Sequence, residues 1–147
     1  AHRAEVAAGT GLGDVFIQER GGLVWDAGDG LRHSECTARI EYASYGEIAT
    51  AEVLGDAAAM QRVVEAGTQA LDVLDLPVPL MTLFDVSWAF ADHTGLATDR
   101  VATTVRAVQE AGGAATMAMI GETVVATGAD GALDHETRID ATGAVLR

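Results

Sequence analysis

Between Gly9 and Asp14 the chain reads GTGLGD, and three glycines followed by a carboxylate leave few options for the backbone there. Glycine adopts φ > 0 and lets another group approach without a Cβ in the way. The run is therefore either a helix C-cap with a tight loop, or a loop built to meet a ligand and present Asp14 to it. A second pair, Gly21-Gly22, opens the apolar segment Gly22 to Trp25, which reads as a strand after the short mixed stretch Val15 to Glu19. Residues 1 to 8, AHRAEVAA, read as the end of a helix whose start and N-cap are not in the sequence. The expectation is that the element begins upstream.

The remaining composition narrows the partners. With 147 residues, 49% hydrophobic content and a mean hydropathy of +0.20, the chain has enough apolar matter for one globular domain or for part of a larger protein. The longest uncharged stretch, Ala111 to Gly121, is far short of a membrane span, and AHRAEV is not a signal peptide, so a soluble, cytoplasmic protein is expected. Cys36 is the single cysteine, which rules out an internal disulfide and a zinc-binding thiolate pair. The 22 acidic residues outweigh 9 basic ones, all arginine, for a net charge of −13. Such a surface repels phosphate backbones, so neither nucleic acid nor an anionic membrane is an expected partner. Excess acid without lysine reads as adaptation to a high-salt cytoplasm, where salt screens the repulsion; an ordinary acidic protein from a high-GC genome is the alternative.

Periodicity places the other elements. Asp26 to Gly30, DAGDG, is a turn, without the ligand spacing of a calcium loop. Arg39 to Tyr45 alternates Ile40 and Tyr42 with polar residues, as a half-buried strand does. Ile48 to Leu54 reads as a short helix. From Asp56 to Leu76, Met60, Val63, Val64, Gly67, Leu71 and Leu74 follow a helical period that Pro77 stops. Leu80, Phe84, Trp88 and Ala91 mark a third helix ending at Gly95. Val101, Val105 and Val108 form the inner stripe of a fourth, capped by Thr94 or Thr98 and ended by Gly112 and Gly113. Thr116 to Ile120 and Thr123 to Thr127 read as a hairpin across Gly121-Glu122, with Met117 and Met119 together in the core. Asp130 to His135 reads as a polar loop, and Arg138 to Leu146 as a last strand or two. The order implies an α+β fold, helices on one face of a largely antiparallel sheet. The four histidines show no ligand spacing, and Leu31 to Thr37 is the best candidate boundary.

Taken together, AHRAEVAAGTGLGDV with its following GGLV, then YGEIATAEVL, FADHTGLATDRV and GGAATMAMIGETVVA, resemble in order the second half of the archaeal pantoate kinases, haloarchaeal-like members of the GHMP kinase superfamily. The resemblance implies two parts: residues 1–36 would be the tail of the N-terminal domain with the catalytic loop, and 37–147 the ferredoxin-like C-terminal domain. It implies transfer of the γ-phosphate of ATP, with Mg²⁺, to the 4-hydroxyl of pantoate in coenzyme A biosynthesis. Asp14 falls on the family's catalytic aspartate. A carboxylate accepting the alcohol's proton suits that chemistry, in which positioning and charge stabilisation supply most of the acceleration. A structural turn carboxylate is the competing reading.

The same resemblance makes Gly9, Thr10, Gly11 and Gly13 the substrate loop, and it sets Glu5 near the position of a magnesium ligand, with a register off by about one residue. Arg20 could pair with the pantoate carboxylate or simply with Glu19 at the surface. Gly112, Gly113 and Thr116 correspond to the third motif of the superfamily, near phosphates and substrate, although the longer glycine run of most members is missing here. The glycine-serine loop that cradles the ATP phosphates is also missing, which implies a fragment that is inactive by itself. A homodimer is compatible with the sequence. Two rival readings stand: another metabolite kinase of the superfamily, and a non-catalytic α+β module derived from one.

Overall fold

The computed structural model describes residues 13–26, 30–48, 50–74 and 77–144. They divide into two compact units, one made by the chain up to Ala38 together with Arg138 onwards, the other running from Arg39 to Thr137.

In the first unit, helix α1 (Gly13–Arg20) is followed by strands β1 (Leu23–Asp26) and β2 (Leu31–Ser34). The mixed stretch Val15 to Glu19, which carries no helical stripe, is thus helical, and Gly21 stops it by returning its N–H to the carbonyl of Ile17 at 2.9 Å. Strand β2 lies within the candidate boundary stretch Leu31 to Thr37 and pairs antiparallel with β1, Leu23 opposite Ser34 and Asp26 opposite Leu31. The two glycines are needed where they stand. Gly21 has φ +67°, and a Cβ there would sit 2.5 Å from the Asp140 carbonyl oxygen; Gly22 has φ +62° and would meet the Ser34 carbonyl at the same distance. Both positions combine the left-handed region with backbone too close for a side chain. Residues 139–144, expected as strand, are irregular: Asp140 Oδ1 accepts from the N–H and hydroxyl of Thr142 at 2.9 and 2.8 Å, an Asx-type turn.

The second unit is a four-stranded sheet with helices packed on it. Its elements are β3 (Arg39–Ser44), α2 (Thr50–Gly55), α3 (Ala57–Val73), α4 (Leu80–Thr94), α5 (Asp99–Glu110), β4 (Ala114–Ala118), β5 (Thr123–Thr127) and β6 (His135–Arg138), with strand order β4-β5-β3-β6. The β4–β5 and β5–β3 pairs are antiparallel. The starts of α3 and α5 rest on local caps, while α3 ends at Val73, short of the Leu76 that the periodicity suggests. Asp56 caps α3, accepting from the N–H groups of Ala58 and Ala59, and Thr98 caps α5, accepting from Val101. The stripe of Val101, Val105 and Val108 is completely buried, each side chain contributing roughly 1.5–3 kcal/mol by burial. It packs with Ala91, Ala115, Met117, Val124 and Ala126 in one core cluster.

The strands depart from expectation in three places. The hairpin loop has four residues, not two, because Ala118 pairs with Thr123 and Glu122 is drawn onto the end of β3: its carbonyl accepts from Tyr45 and its N–H donates to Gly46. Met117 is accordingly buried while Met119, past the strand end, is 38% exposed and not in the core. The third departure is β6, four exposed residues (HETR) within and beyond the stretch read as a polar loop; an exposed edge strand needs no apolar alternation, so periodicity cannot reveal it. Among the described residues no helix is long and apolar enough to cross a membrane.

Candidate functional site

The expected site residues fall in both units. Glu5, Gly9, Thr10 and Gly11 lie outside the described residues. Gly13 and Asp14 are the first two residues of α1, and Arg20 is its last, exposed to solvent. A guanidinium in the last turn matches the helix dipole. One turn after Asp14, Ile17 and Gln18 line a cavity of about 440 Å³ with Gly21, Gly22, Ile139, Asp140, Gly143 and Ala144. Close backbone packing builds it: Gly22 donates to the Asp140 carbonyl at 2.7 Å and Ala144 to the Gln18 carbonyl at 2.6 Å.

Gly112, Gly113 and Thr116 belong to the second unit. Gly112 has φ +88°, its N–H donates to the Gln109 carbonyl at 3.0 Å, and Gly113 donates to Val108 at 3.1 Å. These are the paired bonds of a Schellman helix end. Both amides are therefore committed to α5 carbonyls, and open space for a close approach lies only at Gly112, where an added Cβ would meet nothing within 4 Å. Gly113 also presses on the end of β5, where a Cβ would lie 2.7 Å from the Ala129 Cβ and 2.8 Å from the Thr127 carbonyl. Thr116 stands on the sheet face away from the α4–α5 core, opposite Val125. It is buried, and its hydroxyl has no hydrogen-bond partner. An unsatisfied buried hydroxyl costs about 1–3 kcal/mol, so this oxygen is where a donor or acceptor from outside would be most welcome.

The structure also shows a polar cluster that the strand reading missed. Ile40 and Tyr42 mark one face of β3, yet Glu41 and Ala43 are the residues that share a face with Val124 and Ala126 and look toward the helices. Glu41 is 3% exposed. Its carboxylate accepts from the N–H groups of Gly131 at 2.7 Å and Leu133 at 3.0 Å, and the Arg39 guanidinium lies 3.1 Å away. Hydrogen bonds from Gly131 first, then Leu133, hold its pKa below the ordinary 4.5 against the opposing effect of burial. Arg39 also reaches Asp130 at 2.6 Å and Glu136 at 2.9 Å. With three carboxylates on one guanidinium, the cavity of about 210 Å³ beside them, lined by Arg39, Glu41 and Thr127 to Asp130, has no spare positive charge for an anion. The available signal was an arginine and a glutamate two apart on a strand, hence on one face. Among the described residues no set of three His, Cys, Asp or Glu side chains could hold a metal ion.

No family model and no curated protein matches the chain. A solved structure shares its fold. It is described as a phosphotransferase related to the CoA biosynthesis pathway, superimposes with a TM-score of 0.75 at 20% identity, and the match covers 97% of this chain and 53% of that one. The chain thus spans about half the length of the structure it matches, and at that identity the likeness establishes the α+β architecture.

Proposed function

We propose that this chain is the acceptor-side half of an ATP-dependent small-molecule kinase in coenzyme A biosynthesis, a GHMP-type enzyme that phosphorylates the 4-hydroxyl of pantoate. The observation that carries the reading is the fold shared along nearly the whole chain with a phosphotransferase of that pathway, together with the ordered match of the GTGLGD and GGAAT segments to the pantoate kinases. In this reading Asp14, at the start of α1, accepts the proton of the attacking hydroxyl, and Gly9 to Gly13 lead the acceptor to it. Arg20 meets the acceptor carboxylate, and Thr116 gives its unpartnered hydroxyl to a phosphate or acceptor oxygen. Gly112 supplies open space for a close approach, and Gly113 holds the turn against the end of β5.

ATP is the phosphoryl donor, and Mg²⁺ supplies charge neutralisation on the transferring group. In this reading Glu5 is this chain's ligand to Mg²⁺, and the nucleotide falls to the part of the fold that the match leaves uncovered. The halophilic, archaeal character rests on the acidic, lysine-free composition.

The test is phosphate transfer by the complete protein with Mg-ATP in high salt, over a panel of hydroxy acids and alcohols. Preference for pantoate supports the acceptor, another preferred alcohol supports a sister kinase, and no transfer removes the enzyme reading. Asp14→Asn is expected to lower kcat by about 10²-fold or more, the usual worth of a general base. Intact turnover in that variant refutes the assigned base.

A further inference from the structure

We infer that Glu41 is a positioning residue for the Gly112–Gly113 turn, acting through the 127–133 segment; the inference rests on the proposed role of that turn in the acceptor site. The turn cannot set its own place. Its amides tie it to the end of α5, but a helix end fixes only one side of a loop. The other side is the end of β5, where Gly113 lies against the Thr127 carbonyl and Ala129 with no room for a methyl group. Wherever residues 127 to 129 stand, Gly113 must follow.

Those residues are held by β3. Glu41 takes the N–H groups of Gly131 and Leu133 on its two oxygens, and the Thr127 hydroxyl donates to the Arg39 carbonyl at 3.1 Å. The charged groups facing Glu41 are few: Arg39 from its own strand, and through Arg39 the carboxylates of Asp130 from the loop and Glu136 from β6. The guanidinium offsets what would otherwise be three repelling carboxylates. A buried carboxylate with both oxygens filled by backbone donors is a costly device for a loop that could be closed by apolar packing. What it provides is direction: two bonds from one rigid strand fix where the loop crosses, and hence where Ala129 meets Gly113.

Amide hydrogen exchange on the full chain tests the positioning without requiring activity. In Glu41→Gln the new side-chain NH₂ confronts one of the two backbone donors, so exchange at Gly131 or Leu133 is expected to rise about tenfold, the loss of one charge-assisted hydrogen bond. The decisive site is Gly113, which should loosen by a similar factor while Val105 in mid-α5 stays as protected as before. Val105→Ala is the control for general destabilisation, loosening α5 and β4 together. Should Glu41→Gln not fold, Arg39→Met frees the carboxylate more gently and is read at the same amides. Unchanged exchange at Gly113, or one uniform increase across the unit, overturns the inference.

The complete protein adds a functional arm. Glu41→Gln should raise the acceptor KM about fivefold with kcat nearly constant, because a displaced wall weakens ground-state and transition-state binding alike. An unchanged KM also overturns the inference. If the parent protein transfers no phosphate, the kinase reading fails, and the exchange at Gly113 still decides whether Glu41 places the turn.

Discussion

Replacing Gly113 by alanine isolates the contact on which the turn depends. The added Cβ would stand 2.7 Å from the Ala129 Cβ, 2.8 Å from the Thr127 oxygen and 3.0 Å from the Ala129 nitrogen. Two of the three neighbours are backbone, so no rotamer change relieves the overlap, and the end of β5 must retreat. Overpacking of this kind costs roughly 1–3 kcal/mol. Against it stands a gain of about 0.4–1 kcal/mol from the stiffer unfolded chain, so the midpoints of the two ranges leave a net loss of about 1.3 kcal/mol. For a chain of this length that lowers Tm by about 3–5 °C. The assay is thermal and denaturant unfolding of Gly113→Ala, Ala129→Gly and the double variant. Removing the Ala129 methyl relieves one of three contacts, so the pair should show a favourable coupling of about 0.5–1 kcal/mol. Gly112→Ala supplies the contrast: its Cβ meets nothing within 4 Å, its cost comes from φ +88° alone, and it should not couple to Ala129→Gly. Wild-type stability in Gly113→Ala, or equal coupling at both glycines, would refute the reasoning.

Two further outcomes follow from the same structure. Glu41, held below its ordinary pKa chiefly by the Gly131 and Leu133 amides, contributes stability that is present above the unfolded value of 4.5 and lost as pH falls through the lower folded value. Denaturant midpoints should therefore drop on acidification below about pH 4.5, and less steeply in Glu41→Gln; parallel curves for the two proteins would contradict the assignment. Asp56→Ala removes the acceptor for Ala58 and Ala59 and should cost about 0.5–2 kcal/mol, read by the same unfolding curves, while Asp56→Ser should recover most of it.

The helical half of the second unit was legible because its information is local. The stripes of α3, α4 and α5 repeat within a few residues of themselves, and the starts at Asp56 and Thr98 and the stops at Gly95 and Gly112 are side-chain and backbone effects of one turn. Unusual backbone was legible at Gly21-Gly22 and Gly112-Gly113, where a positive φ or close packing excludes a side chain. Three things were illegible for one reason. Helix α1 lacks a periodic stripe, β6 is an exposed edge, and Glu41 looked like the solvent side of β3; each acquires its place from a partner far along the chain.

The sequence by itself therefore determined the α+β class and the starts of the longer helices of the second unit, both of which depend on intrinsic residue preferences and short-range spacing, whereas the glycine run up to Gly11 lies outside the described residues and Gly13 and Asp14 open a helix. Only the tertiary structure decided which face of β3 is inward. It alone brought Glu41 to amides 90 and 92 residues away, and it alone left the Thr116 hydroxyl buried without a partner. Those depend on which segments meet after folding, and a hydrogen bond to a backbone amide asks nothing of the partner's side chain, so it leaves no mark in the sequence.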